Sequence, residues 1–110
     1  MNFLNTIKNR RIWCAASTHS TEEILCAKTH LKIKENYKDI FTIIVPRHIS
    51  RVNEINKELS NLNINVVLSS ELSKVNNKTD VLLVNSYGEA RKFYNISKYV
   101  FVGKSLMESL

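Results

Sequence analysis

The chain alternates between short continuous apolar runs and longer amphipathic stretches. Apolar runs cover residues 11–16, 40–45, 65–68, 80–84 and 99–102. They are continuous rather than alternating, the pattern of strands covered on both faces. Between them apolar residues recur at helical spacing: Ile24, Ala27 and Leu31 with Cys26, then Val52, Ile55, Leu59 and Leu62, then Ala90, Phe93 and Tyr94. Residues 69–79 are polar and predict a loop that carries a helical turn. Residues 1–10 hold Phe3, Leu4 and Ile7 at helical spacing and read as a linker or short helix, ahead of one domain over 11–110. Strands alternating with helices predict an α/β fold. Right-handed crossovers make a doubly wound parallel sheet of about five strands, flanked by helices, its natural form.

Parallel strands all end on one edge. Four polar turns fall there: Ser17-Thr18-His19, Arg47-His48, Asn85-Ser86-Tyr87-Gly88-Glu89 and Gly103-Lys104-Ser105. No comparable concentration of polar groups is expected on the opposite edge. Ser20 and Glu23 have capping-box spacing, as do Ser86 and Glu89. A strand that feeds a helix through a polar turn presents unpartnered N–H groups and a positive dipole end, where anions bind. In open α/β sheets ligands sit at that edge. The same pattern equally makes a well-capped turn with no ligand.

Arg47 is permanently charged and can fork two bonds onto a phosphate, and Pro46 restricts the backbone before it. A cation is electrostatically unfavourable at a helix start, so a ligand role is the better reading. His19 and His48 can donate, accept or exchange a proton, but no third ligand is spaced for a metal. His30, in a helix's last turn, reads as a surface residue. Glu22, Glu23 and Glu89 can accept bonds from ribose hydroxyls or act as acids, and Glu23 and Glu89 already serve as capping partners. Gly88 lets a backbone approach a ligand closely. The phosphate-loop lysine motif, the dinucleotide glycine signature and the nucleophile elbow are all missing. The residues alone thus describe a nucleotide- or anion-binding module with no visible catalytic group.

Composition changes this picture little. The 110 residues make one domain at most, 44% of them hydrophobic, and two glycines and one proline leave most of the chain to regular elements. The net charge of +6 suits an anionic partner. The lysines form no run, however, and no arginine-aromatic interleaving occurs, which argues against nucleic acid. Cys14 and Cys26 read as small buried hydrophobes in a reducing compartment. No apolar run approaches the roughly 20 residues of a membrane span, and the first residues lack a signal peptide's apolar region.

Four segments in register then resemble a known family: Trp13-Cys14-Ala15-Ala16-Ser17-Thr18-His19 with Glu22-Glu23; Val45-Pro46-Arg47-His48 with Arg51; Val81-Leu82-Leu83-Val84-Asn85-Ser86-Tyr87-Gly88-Glu89 with Tyr94; and Phe101-Val102-Gly103-Lys104-Ser105-Leu106. They are similar to the C-terminal half of the 3-deoxy-D-manno-octulosonic acid (Kdo) transferases. The resemblance implies a Rossmann-like half of a GT-B glycosyltransferase. Such enzymes move Kdo from CMP-Kdo to the lipid A precursor with inversion, in lipopolysaccharide biosynthesis at the cytoplasmic face of the Gram-negative inner membrane, without a metal or other cofactor. It implies that CMP lies on Pro46, Arg47, Tyr87, Gly88 and Glu89, with Ser17, Thr18, His19, His48, Asn85 and Lys104 facing the cleft. The catalytic base, the acceptor contacts and the membrane association belong to the family's N-terminal half. No catalytic residue is therefore assigned here, and the chain is expected to be inactive alone.

The chain departs from the family pattern at Thr21 and Lys104, where glycine is usual, at Asn85, where aspartate is usual, and at Ala90, where leucine or methionine is usual. A further donor-binding asparagine-proline-glutamate segment follows soon after the Leu110 position in the family, so the resemblance implies a fragment incomplete at its C-terminus. The alternatives are a non-enzymatic nucleotide- or anion-binding module, without preference for CMP, and a basic nucleic-acid-binding domain, with steep salt dependence.

Overall fold

The computed structural model describes residues 3–103. A short helix α1 (Phe3–Ile7) precedes β1 (Arg11–Thr18), α2 (Glu22–Lys34) and β2 (Ile40–Pro46). A 3-10 turn (Ile49–Arg51) leads into α3 (Val52–Ser60), followed by β3 (Val66–Leu68) and a second 3-10 segment (Ser69–Lys74). The described chain closes with β4 (Val81–Leu83), α4 (Ala90–Ile96) and β5 (Tyr99–Val102). All five strands pair in parallel, in the order β3-β4-β2-β1-β5.

This order fixes where the helices go. The steps from β1 to β2 to β3 move toward one edge, so right-handed crossovers lay α2 and α3 on one face. The returns to β4 and then β5 lay the second 3-10 segment and α4 on the other. Side-chain alternation along the strands feeds both faces. Ala15, Ile44, Val81 and Leu83 meet Ala27, Ile55 and Leu59 on the α2/α3 side. Cys14, Phe41, Ile43 and Leu82 meet Ile7, Val75 and Phe93 on the other. Each fully buried aliphatic or aromatic side chain contributes about 1.5–3 kcal/mol, which accounts for the continuous apolar runs of β1, β2 and β4. The edge strand β5 is less covered. Phe101 packs against the α2/α3 face, while Tyr99, Val100 and Val102 are exposed.

The end of α3 has a defined stop. Asn63 adopts φ 61°, its N–H donates to the Ser60 carbonyl at 3.0 Å, and the Ile64 N–H reaches the Leu59 carbonyl at 3.4 Å. This is a Schellman-type cap, in which an asparagine tolerates the left-handed backbone. Ile64 and Leu59 are both buried in the same cluster.

His30 is not the surface residue expected from its place at a helix end. It is fully buried. Its Nδ1 pairs with the Thr42 hydroxyl at 2.7 Å and its Nε2 with the Asp80 carboxylate at 3.2 Å. Asp80 also accepts from Lys34 Nζ at 2.8 Å and from the Asn65 N–H at 2.9 Å. Burial alone would raise the Asp80 carboxyl, but these donors outweigh it and hold it below its ordinary range. Burial pushes the His30 ring down, against the pull of Asp80. The network joins α2, β2 and the approach to β4 at the amino edge of the sheet.

Cys14 and Cys26 are buried as expected, and burial pushes each thiol up to about 12. Both are inert thiols at neutral pH.

Candidate functional site: the carboxyl rim of the sheet

Because β4, β2 and β1 are neighbours in the sheet, the turns that follow them adjoin along one rim. The Arg47 N–H donates to the Thr18 carbonyl at 2.9 Å, which ties the second turn to the first. Between Ala16 and Thr18 the pairing with β2 slips by one residue, and Ser17 takes φ 54°. This bulge re-aims the end of β1. The fifth strand returns to the same corner, where the Gly103 N–H donates to the Ala16 carbonyl at 2.6 Å. A Cβ on Gly103 would overlap the Ser17 carbonyl, so only glycine fits there. Lys104 lies outside the described residues.

The start of α2 differs from the expected capping box. Ser20 is exposed and caps nothing. The box works one residue earlier: the Glu22 carboxylate accepts the His19 N–H at 2.8 Å, and the Glu22 N–H donates to the His19 carbonyl at 3.0 Å. Thr21 precedes the helix with φ 77° and ψ −30°, a backbone that side chains with a branched Cβ rarely adopt. The turn after β1 therefore bonds its own carboxylate, and fewer of its N–H groups face outward than the pattern suggested.

Glu23, released from capping, is sealed inside. Its side chain is 1% exposed, and both its oxygens accept from the Arg51 guanidinium, at 3.0 and 3.1 Å. Arg51 Nε also reaches Glu54 at 3.3 Å. The bond to Glu23 raises the Arg51 pKa above its usual value. This strap joins the first turn of α2 to the 3-10 turn after β2, and so sets the position of Arg47 and His48 between them. Sequence reasoning noted Arg51 within a motif but gave it no partner. Its spacing from Glu23 crosses a whole strand, and no local signal announces the pair.

Ser86 and Glu89 are joined, but not as a cap. The Ser86 hydroxyl donates to the Glu89 carboxylate, which also accepts from Lys92 at 3.3 Å. The hydrogen bond from Ser86, then that from Lys92, hold the Glu89 carboxyl below its ordinary range. Tyr87 is 79% exposed. Gly88 adopts φ 83° with open space where a Cβ would stand. Asn85 is spent internally. Its Oδ1 accepts from the Ser69 hydroxyl at 2.8 Å and the Ser70 N–H at 3.0 Å, and its Nδ2 donates to the Ser70 hydroxyl at 3.0 Å. It braces the turn after β4 against the turn after β3.

The residues proposed for the rim differ in access. Arg47 and His48 are exposed. Ser17 and His19 are half-buried, Pro46 is buried, and Thr18 is fully buried with a hydroxyl that finds no partner among the described residues. A cavity of about 580 Å³ lies elsewhere, beside Trp13, Tyr37 and Tyr99 at the amino edge. Among the described residues no three His, Cys, Asp or Glu side chains gather as metal ligands.

No family model matches the chain. It is 35% identical, over 92% of its length, to a 3-deoxy-D-manno-octulosonic acid transferase of Haemophilus influenzae. The Rickettsia prowazekii protein of the same name is 30% identical over 93% of the chain. The crystal structure of the C-terminal CMP-Kdo binding domain of WaaA from Acinetobacter baumannii superposes with a TM-score of 0.80, at 34% identity over 94% of the chain. Over nearly all of its own length the chain is similar to one part of the Kdo transferases. It spans 24% and 22% of the two Kdo transferases and 53% of the solved domain. The parallel sheet flanked by helices that the motifs implied for a Kdo transferase C-terminal half is the fold observed. The glycine that the resemblance implies at the Thr21 position would suit the positive φ of the backbone there.

Proposed function

We propose that this chain supplies the donor-nucleotide side of a Kdo transferase. It holds the CMP part of CMP-Kdo along the rim formed by the turns after β1, β2 and β4, for transfer with inversion onto the lipid A precursor. One observation carries the reading: Arg47 presents an exposed guanidinium with no ion-pair partner among the described residues, on a backbone pinned to Thr18. A cation held at the mouth of a sheet switch region, with nothing of its own to neutralise, suits a phosphate.

The other rim residues take complementary roles. Gly88 offers a surface without a side chain, so a ribose or base can pack closely. Glu89 stays ionised and accepts only, which suits ribose hydroxyls rather than the phosphate. The exposed Tyr87 ring offers an apolar face to the base. Asn85 acts through the turn it braces. When the sugar leaves, charge grows on the CMP phosphate, and Arg47 stabilises it. The base that activates the acceptor hydroxyl belongs to a second half of the enzyme, which also places the whole at the inner membrane's cytoplasmic face. The chain alone binds donor and does not turn it over.

Calorimetric titration of the chain with CMP, AMP and GMP tests this. CMP binds more tightly than the purine nucleotides. Arg47→Ala weakens CMP about 10-fold or more, the worth of a hydrogen bond to a charged group. Equal affinities for the three nucleotides would instead support the non-enzymatic anion-binding module.

A further inference from the structure

The ion pair between Glu23 and Arg51 is an expensive way to hold a core together. Sealing a carboxylate inside costs desolvation energy, and apolar side chains of similar volume often serve the same place as well or better. Apolar contacts, however, set no angle. A guanidinium forked onto both oxygens of one carboxylate fixes the separation and the orientation of the segments that carry them. Here Arg51 Nη1 meets Glu23 Oε2 at 3.0 Å and Nη2 meets Oε1 at 3.1 Å.

Between the tied segments lies the turn that carries Arg47. Its front is held by the bond from the Arg47 N–H to the Thr18 carbonyl at 2.9 Å. Its back is held by Arg51, whose N–H donates to the His48 carbonyl at 3.1 Å and whose side chain reaches Glu23. Both anchors belong to one stretch, the end of β1 and the first turn of α2. Glu54 meets Arg51 Nε at 3.3 Å and steadies the fork from the solvent side. Ile49 and Val52 pack against the α2/α3 core and hold the turn down on the sheet. No side chain caps the 3-10 turn itself. Without the fork, the angle of the Arg47 turn rests on the single bond to Thr18.

We infer that Glu23 and Arg51 are positioning residues for nucleotide binding. They act through Arg47, keeping its turn at the angle that aims the guanidinium at the phosphate. The inference rests on the donor-binding reading of the rim and deepens it.

A double-mutant cycle read by calorimetric titration with CMP tests it. Glu23→Leu/Arg51→Met replaces the pair by apolar side chains and leaves Arg47 in place. It weakens CMP about 10-fold, close to the effect of Arg47→Ala, while circular dichroism shows the parent's fold. Added to Arg47→Ala, the same double substitution costs less than about twofold, because the side chain it acts through is gone. Arg51→Lys keeps the charge pair but not the fork, and guards against misfolding of the apolar variant. It weakens CMP about threefold in the parent and leaves affinity unchanged on Arg47→Ala. Amide hydrogen exchange without nucleotide reads the turn itself. In the apolar variant the Arg47 N–H exchanges about 10-fold faster, while amides of β2 and β4 keep the parent's rates. Parent-like CMP affinity in both variants, equal losses with and without the Arg47 side chain, or an unchanged Arg47 exchange rate would overturn the inference and leave the donor reading intact. A parent chain that binds no CMP would overturn the donor reading and this inference with it.

Discussion

Thr21→Gly should stabilise this protein, although most substitutions to glycine destabilise. Thr21 sits at φ 77° and ψ −30° immediately before α2, with an exposed side chain that makes no capping bond. Such a backbone costs a residue with Cβ about 1–3 kcal/mol, and a β-branched side chain lies toward the upper part of that range. Glycine adopts it freely but gives back about 0.5–1 kcal/mol through its greater freedom in the unfolded chain. The net gain is about 1 kcal/mol. For a domain of this size that raises Tm by about 4–8 °C. Thermal unfolding followed by far-UV circular dichroism reads it directly. Thr21→Ala is the control, because it removes the branch but keeps a Cβ at positive φ, and it should recover less than half of the gain. A Tm for Thr21→Gly at or below that of the parent, or equal gains for alanine and glycine, would refute the account of strain at this turn.

Arg51→Met leaves the Glu23 carboxylate buried without a partner and should cost about 3–5 kcal/mol in denaturant unfolding. Adding Glu23→Leu should recover most of that loss, because the pair together is replaced by apolar contacts. Stability should also fall on acidification in two stages. The buried His30 ring titrates below 6.5, so its contribution is complete above pH 6.5 and is lost as pH falls through the folded value. Asp80, depressed below 3.8, holds until the pH drops below 3.8 and is lost through its own folded value. Unfolding free energies across that range check this, and His30→Gln should flatten the first stage while leaving the second.

Much of the fold is legible because its causes are local. The runs ending at Ala16, Val45 and Val84 are apolar on consecutive residues rather than alternate ones, the pattern of a doubly covered strand, and the helical spacing of Val52, Ile55 and Leu59 returns once per turn. What escapes is decided by partners far along the chain. His30 looks like a solvated helix end until Asp80, fifty residues on, arrives beside it. Glu23 has the spacing of a cap, but the positive φ of Thr21 shifts the cap to Glu22 and frees Glu23 for Arg51. Asn85 resembles a ligand contact from its place in a motif, yet Ser69 and Ser70 consume its amide. The lysines and arginines look scattered because Lys8, Lys38, Lys78 and Lys98 come from four separate segments that only the parallel sheet brings to one edge. The convergence of Ser17, Arg47 and Gly88 on the other edge is the reverse case. It follows from strand direction alone, and the β4-β2-β1 order makes their turns adjacent.

The most direct test of the central claim is backbone chemical-shift mapping of the isotope-labelled chain titrated with CMP to millimolar concentration. The account predicts saturable shifts centred on Arg47, Tyr87, Gly88 and Glu89, spreading to Ser17 and His19 and leaving Lys38, Lys78 and Lys98 unmoved. Shifts centred on the amino-edge lysines, with Arg47 and Gly88 unchanged, would contradict it.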